Sequence, residues 1–291
     1  MIKGSYVALV TPFKNNEVDY NALENLLEFQ IENKTDGILF CGTTGESPAL
    51  AGDEKEQLVR FGMQKIGKRV PVMMGTGTNN LHHTISNTIK ATEWGVDSAL
   101  VITPYYNKPT QQGMYNYFKA VAENTDIPIV IYNVPGRTGV NMLAETTLKL
   151  AHEFKNIVGI KEASGDLVQL TEIALGRPEG FSIMCGEDAL NLPAMSCGAN
   201  GTISVTANII PLLVHDLIAL ANEGEFIKAR EIHQNILELN SIMFIETNPI
   251  PAKEALHLMG KIEREFRPPM CTLKPENLLT LKAMLQKHKL I

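Results

Sequence analysis

Eight short apolar runs recur along the chain at a spacing that few folds can absorb. They are SYVALV (5–10), GILFCG (37–42), PVMMGTG (71–77), SALVIT (98–103), PIVIYNV (128–134), IVGIK (157–161), FSIMCG (181–186) and GTISV (201–205). Successive starts lie roughly 20–35 residues apart, the length of one strand–helix–strand crossover. The runs are mostly apolar rather than alternating, as strands covered on both faces require. The segments between them carry a helical period: Leu23, Leu26, Leu27 and Ile31 share one face after a capping Asp19, and Leu58, Val59 and Met63 follow Asp53. An open doubly wound sheet and a closed barrel both use this pattern. Eight consecutive units of similar size favour closure, so the expected class is α/β, a (β/α)8 TIM barrel.

From about residue 225 the rhythm changes to helices alone, in GEFIKAREIHQNILELNSIMF, in PAKEALHLMG and from Pro275 onward. No low-complexity linker precedes them. The expected division is a catalytic barrel over 1–224 and a small helical C-terminal domain over 225–291, packed on it.

With 291 residues, 44% of them apolar, the chain can bury a large core, and it has no uninterrupted apolar stretch long enough for a membrane span. MIKGSYVALVTPF lacks the features of a signal peptide, so it is expected to belong to the fold, and a cytoplasmic location follows by default. The net charge of −6 argues against a nucleic-acid partner. The one basic cluster, Lys65, Lys68 and Arg69, fits a helix C-terminus answering its dipole. Cys41, Cys185, Cys197 and Cys271 are scattered without CxxC spacing, so neither a zinc site nor a disulfide framework is signalled. Three of the four are expected to be buried small hydrophobes.

In a barrel of this kind the active site lies at the C-terminal ends of the strands. The second strand ends in GTTGES (42–47), the fourth in TPYYNKP (103–109) and the fifth in YNVPGRTG (132–139), while the sixth carries Lys161. Other chemistries fit poorly. GTGTNN (75–80) has Asn80 where a dinucleotide loop needs its third glycine, no P-loop occurs, and GTTGES is not a hydrolase elbow. His82 and His83 are adjacent, and HEFKN (152–156) lacks a second histidine, so no metal site is expected.

Lys161 has two readings. It could snorkel to the rim or pair with a carboxylate such as Glu187. Alternatively, burial depresses its pKa from ~10.4 to near ~7, a shift of roughly 4–5 kcal/mol. A neutral amine can attack a carbonyl and form a Schiff base, a chemistry that needs no cofactor. Tyr132, on the neighbouring strand, is the natural proton donor and acceptor, and Thr43 and Tyr106 could extend a hydroxyl chain. The planar fork of Arg137 suits a substrate carboxylate. Taken singly, each of these has an ordinary structural use.

Together, GILFCGTTGE (37–46), PYYNKPTQQG (104–113), YNVPGRTG (132–139), VGIKEASGD (158–166) and ETNPIPAKEAL (246–256) resemble the pyruvate-dependent class I aldolase family of N-acetylneuraminate lyase and dihydrodipicolinate synthase. The match runs in order over essentially the whole chain. It implies Lys161 as the Schiff-base lysine for pyruvate, Tyr132 as proton donor and acceptor, and Thr43 with Tyr106 as the rest of the relay. It implies Thr44 on the pyruvate carboxylate, Ile203 lining the site through its backbone, and Arg137 receiving the carboxylate of L-aspartate 4-semialdehyde. The arginine and the threonine pair point to the synthase branch over a sugar-acid lyase, and retention of Lys161 and Tyr132 argues against a non-catalytic binding barrel. The family is usually a tetramer, a dimer of dimers, with the second tyrosine of the YY pair supplied across an interface. Gly52, Lys55 and His83 stand where lysine-inhibited members carry lysine-binding side chains, so feedback inhibition by lysine is expected to be weak or absent.

Overall fold

The computed structural model describes residues 1–291. Eight parallel strands close into a barrel: β1 (Gly4–Ala8), β2 (Gly37–Phe40), β3 (Val72–Gly75), β4 (Ser98–Ile102), β5 (Ile129–Asn133), β6 (Ile157–Glu162), β7 (Ser182–Cys185) and β8 (Gly201–Ser204). Each pairs with the next in sequence, and β1 pairs with both β2 and β8, so no edge is left open. Six of the eight expected runs contain their strand whole, while β1 begins one residue before its run and β6 ends one residue after its run.

Eight helices follow the strands in turn: α1 (Tyr20–Glu32), α2 (Gly52–Ile66), α3 (Leu81–Glu93), α4 (Gln111–Glu123), α5 (Ala144–Glu153), α6 (Leu167–Gly176), α7 (Asn191–Ser196) and α8 (Pro211–Asn222). Four of their starts, those of α1, α3, α4 and α6, are capped by a local side chain. Asp19 accepts from the amide of Ala22, Asn80 from that of His83, and Asp166 from those of Val168 and Gln169. Leu23, Leu26 and Leu27 form the buried stripe of α1, as their spacing predicts. α2 starts at Gly52, with Ala51 at its N-cap, slightly ahead of the expected Asp53. At its end Arg69 donates to the carbonyls of Ile66 and Lys65 and grips Glu28 with both terminal nitrogens, which answers the helix dipole as expected.

Strand side chains sort by parity. Ala8, Leu39, Met73, Leu100, Val130, Met184 and Ile203 fill the barrel interior, while the alternate residues pack outward against the helices. Beyond residue 225 come α9 (Phe226–Ile242), α10 (Ile250–Leu258) and α11 (Pro275–Lys287). Their buried residues, among them Ile236, Leu239, Leu256, Leu281 and Leu285, join the same apolar cluster as the outer barrel layer. The C-terminal helices therefore share the barrel's core.

Two cysteines, not three, are fully buried. Cys41 and Cys185 lie at strand ends, Cys197 is half-exposed where α7 ends, and Cys271 is exposed in the loop before α11.

Candidate active site

Parity also builds the site. In β6, Lys161 points inward, level with Tyr132 of β5 and Met184 of β7. Its side chain is 5% exposed, and Nζ stands 4.6 Å from the centre of the Tyr132 ring. No carboxylate lies within 4.0 Å of Nζ, and it makes no hydrogen bond within the protein; the pairing with Glu187 is not formed. The other buried lysine, Lys253, contrasts sharply, since it donates to Glu46 Oε1 at 2.5 Å. A buried ammonium without a partner is unfavourable, so the environment of Lys161 is not explained by stability. Gly186 gives it room. A Cβ there would lie 3.0 Å from Lys161 Cε and 2.5 Å from Ala163 Cβ.

The outward neighbours hold this pair in register. Asn133 and Glu162 are opposite each other, and the Asn133 amide donates to both Glu162 oxygens, at 3.2 and 3.0 Å. Gln169 and the Ser164 amide supply further donors to the buried Glu162 carboxylate. The Asn133 amide also reaches Asn141, which anchors the loop that carries Arg137.

Above Lys161 opens a cavity of about 560 Å3 whose wall includes Thr43, Thr44, Tyr132, Arg137, Glu187 and Asn248. The threonine pair sits on a tight loop between Cys41 and Glu46, both in left-handed backbone conformations with φ of 54° and 50°. Thr11 donates to Gly45 O at 2.7 Å, and Lys253 holds Glu46, so the loop is fixed from two sides. Arg137 lies on the short helical turn Pro135–Thr138 after β5, and its Nη2 donates to Asn248 O at 3.2 Å. Burial, helped by the neighbouring Asp188 carboxylate, raises the pKa of Glu187 above the ordinary carboxylate range.

Five of the seven expected residues thus meet at one cavity: Lys161, Tyr132, Thr43, Thr44 and Arg137. Tyr106 is 85% exposed, its backbone held at φ 77°, and it does not line the cavity of its own chain. Tyr105 instead joins Thr43 and Tyr132 around a smaller adjoining space of about 150 Å3. Ile203 is buried inside the barrel opposite Tyr6, and the wall at the end of β8 is Val205. Asn248 and Glu187 have no place in the chemistry expected from sequence, yet both line the cavity. Asn248 falls within the ETNPIPAKEAL motif, but nothing local to that stretch says that it meets the threonine loop.

A partnerless lysine at the mouth of a (β/α)8 barrel, set against a tyrosine and facing hydroxyls and an arginine, marks the class of lyases and synthases that work through a Schiff base. The family model described as the Dihydrodipicolinate synthetase family matches residues 1–288, and the chain belongs to that family. A relative from Aquifex aeolicus (strain VF5), named 4-hydroxy-tetrahydrodipicolinate synthase, is 49% identical, the match covering 100% of this chain and 99% of the relative. A solved structure of chloride-inhibited dihydrodipicolinate synthase from Acinetobacter baumannii, complexed with pyruvate, is 40% identical with a TM-score of 0.98 and full coverage of both chains. Another, of a monomeric dihydrodipicolinate synthase variant, is 40% identical with a TM-score of 0.98, covering 99% of this chain and 97% of that one. The family expected from the five motifs is the family found.

Proposed function

We propose that this chain condenses pyruvate with L-aspartate 4-semialdehyde, through a Schiff base on Lys161, to form 4-hydroxy-tetrahydrodipicolinate in the diaminopimelate route to lysine. Membership of the family and the names of its relatives support the reaction. The observation that carries the mechanism is Lys161 itself, buried at the floor of the cavity with no carboxylate partner.

In this reading the Lys161 amine adds to the pyruvate carbonyl and water leaves, giving an iminium. Loss of a methyl proton yields the enamine, whose carbon attacks the semialdehyde aldehyde; the amino group of the condensed semialdehyde then adds to the iminium carbon and Lys161 leaves as the free amine, which closes the ring. Tyr132, against Lys161, passes protons in and out, with Thr43 next in the relay. Thr44 holds the pyruvate carboxylate, Arg137 at the rim receives that of the semialdehyde, and Val205 walls the β8 side with Ile203 buried in the barrel two residues before it. No cofactor enters this scheme.

Tyr106 completes the relay only if a second copy supplies it. A bulky side chain held at positive φ and turned into solvent is unfavourable for an isolated chain, which supports that role. We therefore assign a homo-oligomer, a tetramer built as a dimer of dimers, and read residues 225–291 as an extension that finishes the site wall through Asn248. No helix is long and apolar enough to cross a membrane; we assign the enzyme to the cytoplasm, a reading supported by its membership of a biosynthetic enzyme family. Feedback inhibition by lysine is weak or absent in this reading. Gly52 starts α2 with no side chain to offer, Lys55 is a cation one turn on, and His83 is exposed at the start of α3. Half-inhibition at submillimolar lysine would refute this.

The substrate is tested by presenting pyruvate with the semialdehyde and, separately, N-acetylneuraminate and 2-keto-3-deoxy sugar acids for cleavage. Turnover is expected with the semialdehyde pair alone. Cleavage of a sugar acid without semialdehyde condensation would overturn the assignment.

A further inference from the structure

Asn248 touches both carboxylate receptors of the site. Its Nδ2 donates to Thr44 Oγ1 at 2.9 Å, and its backbone carbonyl accepts from Arg137 at 3.2 Å. It is 4% exposed, lines the main cavity, and lies 204 residues from Thr44 in the chain. A hydroxyl has one hydrogen to give and two lone pairs. If Asn248 occupies a lone pair of Thr44, the Thr44 hydrogen is left free, and it has no other partner in the protein. We infer that Asn248 is a positioning residue that makes Thr44 a hydrogen-bond donor toward the pyruvate carboxylate, so that the C-terminal extension sets pyruvate affinity.

The chemistry requires this polarity. A carboxylate only accepts, so a threonine that had given its hydrogen to an amide oxygen would meet pyruvate with lone pairs. Charge-assisted hydrogen bonds are about twice as strong as neutral ones, and the loss falls on pyruvate binding. The Asn248 Oδ1 is buried and unpartnered. In the opposite amide orientation that oxygen would take the Thr44 hydrogen and abolish the donor. The two orientations thus give Thr44 opposite roles.

This inference rests on the assignment of Thr44 to the pyruvate carboxylate, and the experiment separates the two. Asn248→Asp keeps the shape but, when ionised, forces Thr44 to donate to position 248. Pyruvate KM should rise about 10- to 100-fold at neutral pH. Semialdehyde KM should change far less, because the backbone contact to Arg137 survives. On acidification the introduced carboxyl regains a proton and can donate again, so the variant-to-wild-type ratio of pyruvate KM should fall. Tyr132, Arg137, Lys161, Glu187 and Glu246 are the other titratable groups around the cavity, and all are common to both proteins, so the ratio isolates position 248. Asn248→Ser, a milder change, should raise pyruvate KM with a ratio independent of pH. A ratio near one at every pH, or an elevated ratio in Asn248→Asp that does not respond to pH, would overturn the inference. Thr44→Val is the control. If it raises pyruvate KM while Asn248→Asp does not, the inference alone fails. If it leaves pyruvate KM unchanged, the role of Thr44 falls and the inference falls with it.

Discussion

Replacing Lys253 by methionine should be the most destabilising single change behind the threonine loop. Lys253 and Glu46 are each about 1% exposed, and the lysine nitrogen also sits 4.3 Å from the Phe13 ring centre. Burial lowers the Lys253 pKa against the opposing pull of Glu46. With the ammonium gone, Glu46 keeps only the Arg267 amide, at a long 3.3 Å. Stranding one member of a buried pair costs about 3–5 kcal/mol. A chain of this length unfolds with an entropy of about 0.6 kcal/mol per kelvin, so Tm should fall by about 5–8 °C. Adding Glu46→Gln removes the stranded charge and should recover most of that loss. Calorimetry at neutral pH and fixed protein concentration reads both variants. A single variant within about 1 °C of the parent, or a double variant whose losses simply add, would refute the reasoning.

Gly186→Ala should lower kcat through Lys161, because the new Cβ meets Lys161 Cε at 3.0 Å and Ala163 Cβ at 2.5 Å; normal kcat with the alanine in place would show that the lysine has slack. Stability should also fall on the alkaline side. Burial raises the pKa of Tyr6 and of Tyr117 to about 12, with Asp97 and Asp36 adding to the rise at Tyr6. A raised folded-state pKa contributes stability that is intact below the unfolded value of ~10 and is lost as pH climbs to about 12, of order 2–3 kcal/mol for each group. Urea unfolding across that range, with Tyr6→Phe flattening the decline, is the check; a slope unchanged by the substitution would contradict it.

The barrel could be read from the chain because each strand is an apolar run buried on both faces, a pattern that survives without any knowledge of partners. Lys161 was legible for the same reason, since one charged residue interrupts such a run. Features that depend on long-range pairing were not. The Asn248–Thr44 bond spans 204 residues and the Lys253–Glu46 pair 207, and neither leaves a local period or spacing to detect. The outward turn of Tyr106 comes from a positive φ that its residue type does not announce. Composition likewise could not separate the buried Cys41 and Cys185 from Cys197 and Cys271, whose exposure depends on where a helix ends and a loop runs.

The central claim is that Lys161 is the nucleophile. Borohydride reduction in the presence of pyruvate, followed by peptide mass mapping, tests it most directly. A single reduced pyruvyl adduct on the peptide containing Lys161, lost in Lys161→Arg, is the expected result. An adduct on another lysine, or none in an enzyme that still turns over, would contradict it.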